Sequence, residues 1–210
     1  MPAVQNRLTP KGLATRRRIV EAAADLMFVK GVAGTTLDDV RDSAGVSSGQ
    51  IYHYFADKDE LVLAVIDFQN DAVVSEQEHA FARLDSVAAL RAWRDEVVAH
   101  QARIDCQGGC PIGALGSQLG ELDHDARAGV AAGFHRWQAA IRHGFSAMLD
   151  NGTLPPGTDV ETLATAMLAA LQGGLLLGQM HRSTTPLAAA MDTMIDHVAT
   201  LADDSKRGRR

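Results

Sequence analysis

Within seven positions, Ser47, Ser48, Gln50, Tyr52 and His53 gather two hydroxyls, an amide, a phenol and an imidazole around the small residue Gly49. Such groups donate and accept hydrogen bonds, and nothing beside them completes a nucleophile–base pair. Their chemistry is recognition of base edges and phosphate oxygens. A second set, His100, Cys106, Cys110 and His124, invites a metal or redox reading, yet its spacing fits no tight zinc pattern. Glycines before Cys110 and Pro111 after it set that thiol at a helix start, where a thiolate is favoured. An oxidative or metal input through Cys106 and Cys110 is therefore the alternative. Asp123 and Asp125 lie in a polar turn, and no nucleophile-elbow, phosphate-loop, metalloprotease or dinucleotide fingerprint occurs. The chain reads as a non-enzyme without metal or cofactor.

The elements that position these groups are helical almost throughout. Thr9 caps a first helix with Pro10 at its first position. Ile19, Ala22, Ala23, Leu26 and Met27 make its apolar stripe, and Gly31 stops it. Thr36 with Asp39 three residues on forms a capping-box start for a short helix carrying Leu37, Val40 and Ala44 inward. Gly45 ends that helix and Ser47 caps the next. At 100° per residue, with Ser48 at 0°, Ile51, Tyr54 and Phe55 share one arc. Gly49, Tyr52 and His53 fall opposite, with Gln50 on the flank. Further helices are expected at 58–84, 86–104, 111–121, 124–150, 158–182 and 186–203, separated by glycine and proline breaks. The chain is all-α, with nine helices.

Of 210 residues, 46% are hydrophobic and the formal charge is -6, an ordinary globular balance. The charge is uneven. Five cations and no acid occupy residues 1–20, the first 58 residues sum to +2, and the remainder carries -8. Phosphate contact needs only a local positive face, so the acidic total does not exclude DNA. The N-terminus lacks an apolar h-region, and the apolar window 163–177 is short for a bilayer and broken by Gln172. A cytoplasmic protein, acting at the bacterial nucleoid and away from membranes, is expected.

Two short helices joined by a glycine turn, the second with a polar outer face, make a helix-turn-helix. The stretch from Thr15 to Val65 resembles the N-terminal DNA-binding domain of TetR-family transcriptional regulators. The resemblance rests on Thr15 to Ala23, Gly31, Thr35-Thr36, Val40, Ala44-Gly45-Val46, Tyr52, Phe55, Lys58 and Leu61. The segment GCPIGALGSQL is similar to one in LmrA- and YxaF-like members, with Gln118 where they commonly carry glutamate.

The resemblance implies a helix-turn-helix domain over residues 1–57 and a ligand-binding and dimerisation domain over 58–203, with a disordered basic tail at 204–210. It implies DNA contacts from Ser47, Ser48, Gly49, Gln50, Tyr52 and His53, and phosphate contacts from Thr36 and Lys58. Arg16 and Arg17 lie at the edge of the same surface. Ser48 stands where many members carry a cation, which moves base readout toward Gln50 and His53. It further implies a repressor on a near-palindromic double-stranded operator, released by an apolar or amphipathic small molecule. The ligand candidates are Trp93, Phe134, Trp137, Met148 and Met167, with His100, Gln118 and Gln172 as polar anchors. The last two long helices, rich in small and apolar residues, are the expected homodimer interface.

Overall fold

Caps written into the sequence set the helix starts. In a computed structural model describing residues 8–119 and 123–207, α1 (Pro10–Lys30) begins where the Thr9 hydroxyl accepts from the Gly12 amide. In α2 (Leu37–Ala44), Thr36 and Asp39 cap each other reciprocally, and Ser47 and Gln50 do the same for α3 (Ser48–Tyr54). Gly45, at φ 62° in the left-handed region, closes α2 and turns the chain into α3. Asp57 and Glu60 hold the first turn of α4 (Lys58–Phe81) through the amides of Glu60 and Ala56. Then follow α5 (Val87–Arg103), α6 (Pro111–Leu119), α7 (His124–Asp150), α8 (Val160–His181) and α9 (Thr185–Arg207). No strand occurs among the described residues.

Ile19, Ala23, Met27, Val40, Ala44, Ile51, Phe55, Leu61 and Val65 bury the inner faces of the first helices together. Burying one such large side chain contributes about 1.5–3 kcal/mol. The same core continues along α4 into a bundle in which α7 packs on α4, α6 and α8, and α9 packs on α8 and α5. Gly174 permits the α8–α9 approach, since a Cβ there would sit 2.7 Å from the Leu187 backbone. Two ion pairs, Arg91–Asp196 and Arg94–Asp192, tie α5 to α9.

Three expectations need correction. The helix from Lys58 ends at Phe81, three residues early. The α9 helix runs to Arg207, so residues 204–207 are helical rather than tail, while 208–210 lie outside the described residues. At 22 residues, α8 is long and apolar enough to cross a bilayer by length and composition. Here it packs between α7 and α9, leaving Leu176, Leu177 and Met180 exposed.

Candidate nucleic-acid interface and cavity

The split of the aromatic cluster follows from the turn of α3. Ile51 is 1% and Phe55 0% exposed, whereas Tyr52 is 61% exposed. Tyr54 is half-buried, its ring edge-on to His53 at 4.8 Å. Ser47, Ser48, Gly49, Gln50 and His53 are all exposed, giving one continuous polar face at the helix-turn-helix. Gln50 is partly committed: its Oε1 accepts the Ser47 backbone amide at 2.9 Å, while its own backbone amide donates to Ser47 Oγ at 3.2 Å. Its Nε2 remains the outward donor.

The cations around this face have partners within the domain. Arg16 lies over the Phe55 ring at 5.0 Å from its centroid, a cation–π contact. Arg17 pairs with Glu21 at 2.7 Å. Arg18 Nε donates to the Ala44 carbonyl at 2.9 Å, satisfying the end of α2. Arg16 and Arg18 therefore brace the fold, while the Arg17–Glu21 pair stays on the surface of α1. Thr36 is exposed and is bound into its cap: its hydroxyl donates to Asp39 Oδ2 at 2.7 Å and its amide to the same oxygen at 2.9 Å. Those two bonds, with Lys30 close by, hold the Asp39 carboxyl down at about 2.

Lys58, expected to meet phosphate, is half-buried and donates to the Val32 carbonyl at 2.6 Å. The Val32 amide in turn donates to Gln118 Oε1 at 2.7 Å. A residue of the α1–α2 turn is thus gripped on both sides, by the start of α4 and by α6. Gln118 lies in this junction, outside the large cavity, which corrects its expected role as a ligand anchor.

The cavity, open to solvent on one side, has a volume of about 950 Å³, enough for a drug-sized molecule. Its walls come from α4 (Gln69, Ala72, Val73), α5 (Trp93, Glu96, Val97, His100, Gln101, Arg103) and the α5–α6 loop. Cys110, Pro111, Trp137 on α7 and Leu171 and Leu175 on α8 complete them. Of the ligand candidates, Trp93, His100 and Trp137 line it. Met148 and Met167 are fully buried in the helix core, and Phe134 packs half-buried against it. Met148 follows Trp137 by eleven positions, about 16 Å along α7. Gln172 lies behind the wall beside Cys110 and Gly113.

Most of the lining residues were missed, Gln101 and Phe28 among them. Gln101 follows Trp93 and Val97 at four-residue steps on one face of α5, a signal the sequence did contain. Phe28 had no such signal, because it belongs to α1, outside that helix's apolar stripe. It reaches the cavity by lying against Gly108 at φ 80°; a Cβ there would sit 1.7 Å from the Phe28 ring. Asp105 and Cys106 also adopt left-handed backbone, at φ 52° and 50°, a cost of order 1–3 kcal/mol each.

The thiols do not match the redox expectation. Cys106 and Cys110 are both free and buried. Burial pushes the Cys110 thiol up, with the Gly113 amide at 3.4 Å only partly opposing it. A helix start does not make this a ready thiolate. Among the described residues, no three His, Cys, Asp or Glu side chains gather in a metal-binding group.

Known proteins share this organisation. The profile described as "Bacterial regulatory proteins, tetR family" matches residues 19–65, and "Tetracyclin repressor-like, C-terminal domain" matches residues 86–194. An HTH-type transcriptional regulator in the lacX 3′ region of Lactococcus lactis subsp. lactis is 31% identical, over 86% of this chain and 91% of its own. YxaF of Bacillus subtilis is 22% identical, over 82% and 89%. The crystal structure of a TetR transcriptional regulator from Chloroflexus aurantiacus J-10-FL superposes with a TM-score of 0.76 at 29% identity, covering 90% of this chain and 96% of that one. With a helix-turn-helix at one end, a cavity within the other, and relatives along nearly its whole length, the chain belongs to the TetR family of DNA-binding transcriptional regulators.

Proposed function

We propose that this regulator is a dimeric repressor, working in the cytoplasm at the nucleoid, that leaves a near-palindromic operator when a small apolar or amphipathic molecule fills its cavity. Ser48, Gly49, Gln50 Nε2, Tyr52 and His53 face the major groove. The amides at the start of α3, with Ser47, meet phosphate. Arg16, Arg17, Thr36 and Lys58 flank that contact, exchanging part of their internal bonds for phosphate.

The observation that carries the reading is Phe28, which belongs to α1 of the reading head and to the cavity wall at once. A ligand that takes its space moves α1 directly. A ligand that shifts Cys110 and Pro111 moves α6, and with it the Gln118 grip on Val32. Either shift reorients two reading heads that must meet successive major grooves about 34 Å apart. Coupling of this kind changes affinity by roughly 5–150-fold.

The test begins with an operator selected from random duplex DNA, followed by gel-shift titration against a library of apolar compounds. Phe28→Ala is expected to bind the operator within about threefold of the parent while losing most of the release, within the range of such couplings. Release from Phe28→Ala at the parent's compound concentration would sink this route.

A further inference from the structure

Two buried polar side chains on the cavity wall lack protein partners. Gln101 is 7% exposed and lines the cavity. Its backbone carbonyl accepts from the Cys106 amide at 2.8 Å, and its side-chain amide, still open to the cavity, enters no hydrogen bond among the described residues. Trp137 is 3% exposed, borders the same space, and its Nε1–H is enclosed without an acceptor. Buried donors are nearly always paired, and one left unpaired, as the Trp137 indole N–H is, costs about 1–3 kcal/mol. Around them lie the apolar Trp93, Val97, Leu171 and Leu175, with Gln69, His100 and Gln107 less deeply buried. The charged residues Glu96, Arg103 and Asp105 are exposed and mixed in sign, so they favour neither an anion nor a cation.

We propose that the cavity takes a neutral, largely apolar molecule carrying one carbonyl-type oxygen, and that Gln101 and Trp137 are the donors that select it. This rests on the repressor reading and names the chemical class of its effector. An oxygen acceptor removes the unpaired-donor cost, whereas a hydrocarbon of the same shape leaves it in place. Sites built to hydrogen-bond a substrate reject the analogue lacking that group for this reason.

The test uses 6-propionyl-2-(dimethylamino)naphthalene, a neutral fluorophore with one carbonyl, and 2-(dimethylamino)naphthalene, which lacks it. The full-length parent is expected to prefer the ketone. Gln101→Leu should lower the affinity ratio of the ketone to the carbonyl-free amine roughly 5–10-fold, the value of one net hydrogen bond. It should also shift the bound ketone's emission to the blue, as its carbonyl loses a donor. Trp137→Phe should lower the same ratio several-fold. Taking a ratio within each variant removes general effects on folding, and helical circular dichroism checks each fold.

A ratio unchanged in both variants overturns the assignment, as does a parent that binds neither probe. The repressor reading fails separately: the expected ratio shift with an operator complex indifferent to every compound keeps the ligand class and removes the repressor. Operator release by oxygen-free compounds, at the parent's potency in Gln101→Leu, removes the ligand class alone.

Discussion

Gln50 is held in place before it reads anything, because one end of its amide already closes the cap of α3. Gln50→Ala therefore removes a cap and a reader together, while Gln50→Glu keeps an acceptor for the Ser47 amide and loses only the outward donor. Cap losses run at about 1 kcal/mol, so Gln50→Ala should melt roughly 2–4 °C below the parent. Gln50→Glu should melt near the parent yet lose operator preference; equal melting of the two variants would remove the cap from the account. Asp39 gives a pH test of the other cap. Thr36, then Lys30, holds its carboxyl at about 2, below the ordinary 3.8. The group's stabilisation is thus complete above about pH 4 and fades as pH falls toward 2. The melting difference between the parent and Asp39→Asn should shrink over that interval and stay level above it.

Among the elements, most helix starts were legible because caps act over three or four residues: Thr9 to Gly12, Thr36 to Asp39, Ser47 to Gln50. The split of α3 into buried and exposed arcs was legible because helical periodicity is equally local. What escaped the sequence joins distant positions. Lys58 meets Val32 across 26 residues and Gln118 meets Val32 across 86, and no spacing rule links such pairs. Met148 and Met167 lie off the cavity wall for a related reason: an apolar residue on a helix beside a cavity has the same composition signal at every turn, and only the fold says which turn faces the space. The grip on Val32 makes its own prediction. Gln118→Leu leaves the Val32 amide without its acceptor, an effect of about 1–3 kcal/mol. It should lower the melting temperature and blunt release by effector, while ligand affinity for the cavity stays near the parent's. Effector release as sharp as the parent's would show that α6 does not carry the signal.

For the whole molecule, the outer face of α8 is where assembly can be tested. Ala169, Gly173, Leu176, Leu177 and Met180 are all exposed and recur at helical spacing, so they share one stripe. Inside a single subunit that stripe has no cover, and an exposed run of large apolar groups marks an interaction surface. A two-fold dimer would set this face against its own copy, with Gly173 allowing the closest approach. Gly173 separates the two settings cleanly. A Cβ built there meets nothing within 4 Å in the subunit, and replacing a mid-helix glycine by alanine favours the helix by roughly 0.5–1 kcal/mol. On monomer packing alone, Gly173→Gln should therefore be tolerated and Gly173→Ala should raise stability slightly. If two α8 helices cross there, the longer side chain keeps them apart. Gly173→Gln should then sediment as a folded monomer at concentrations where the parent is a dimer. Its affinity for a two-half-site operator should fall by tenfold or more, because each tenfold corresponds to only 1.4 kcal/mol of lost cooperation. Its affinity for a single half-site should stay the same. A Gly173→Gln protein that sediments as the parent does would move the interface off this stripe.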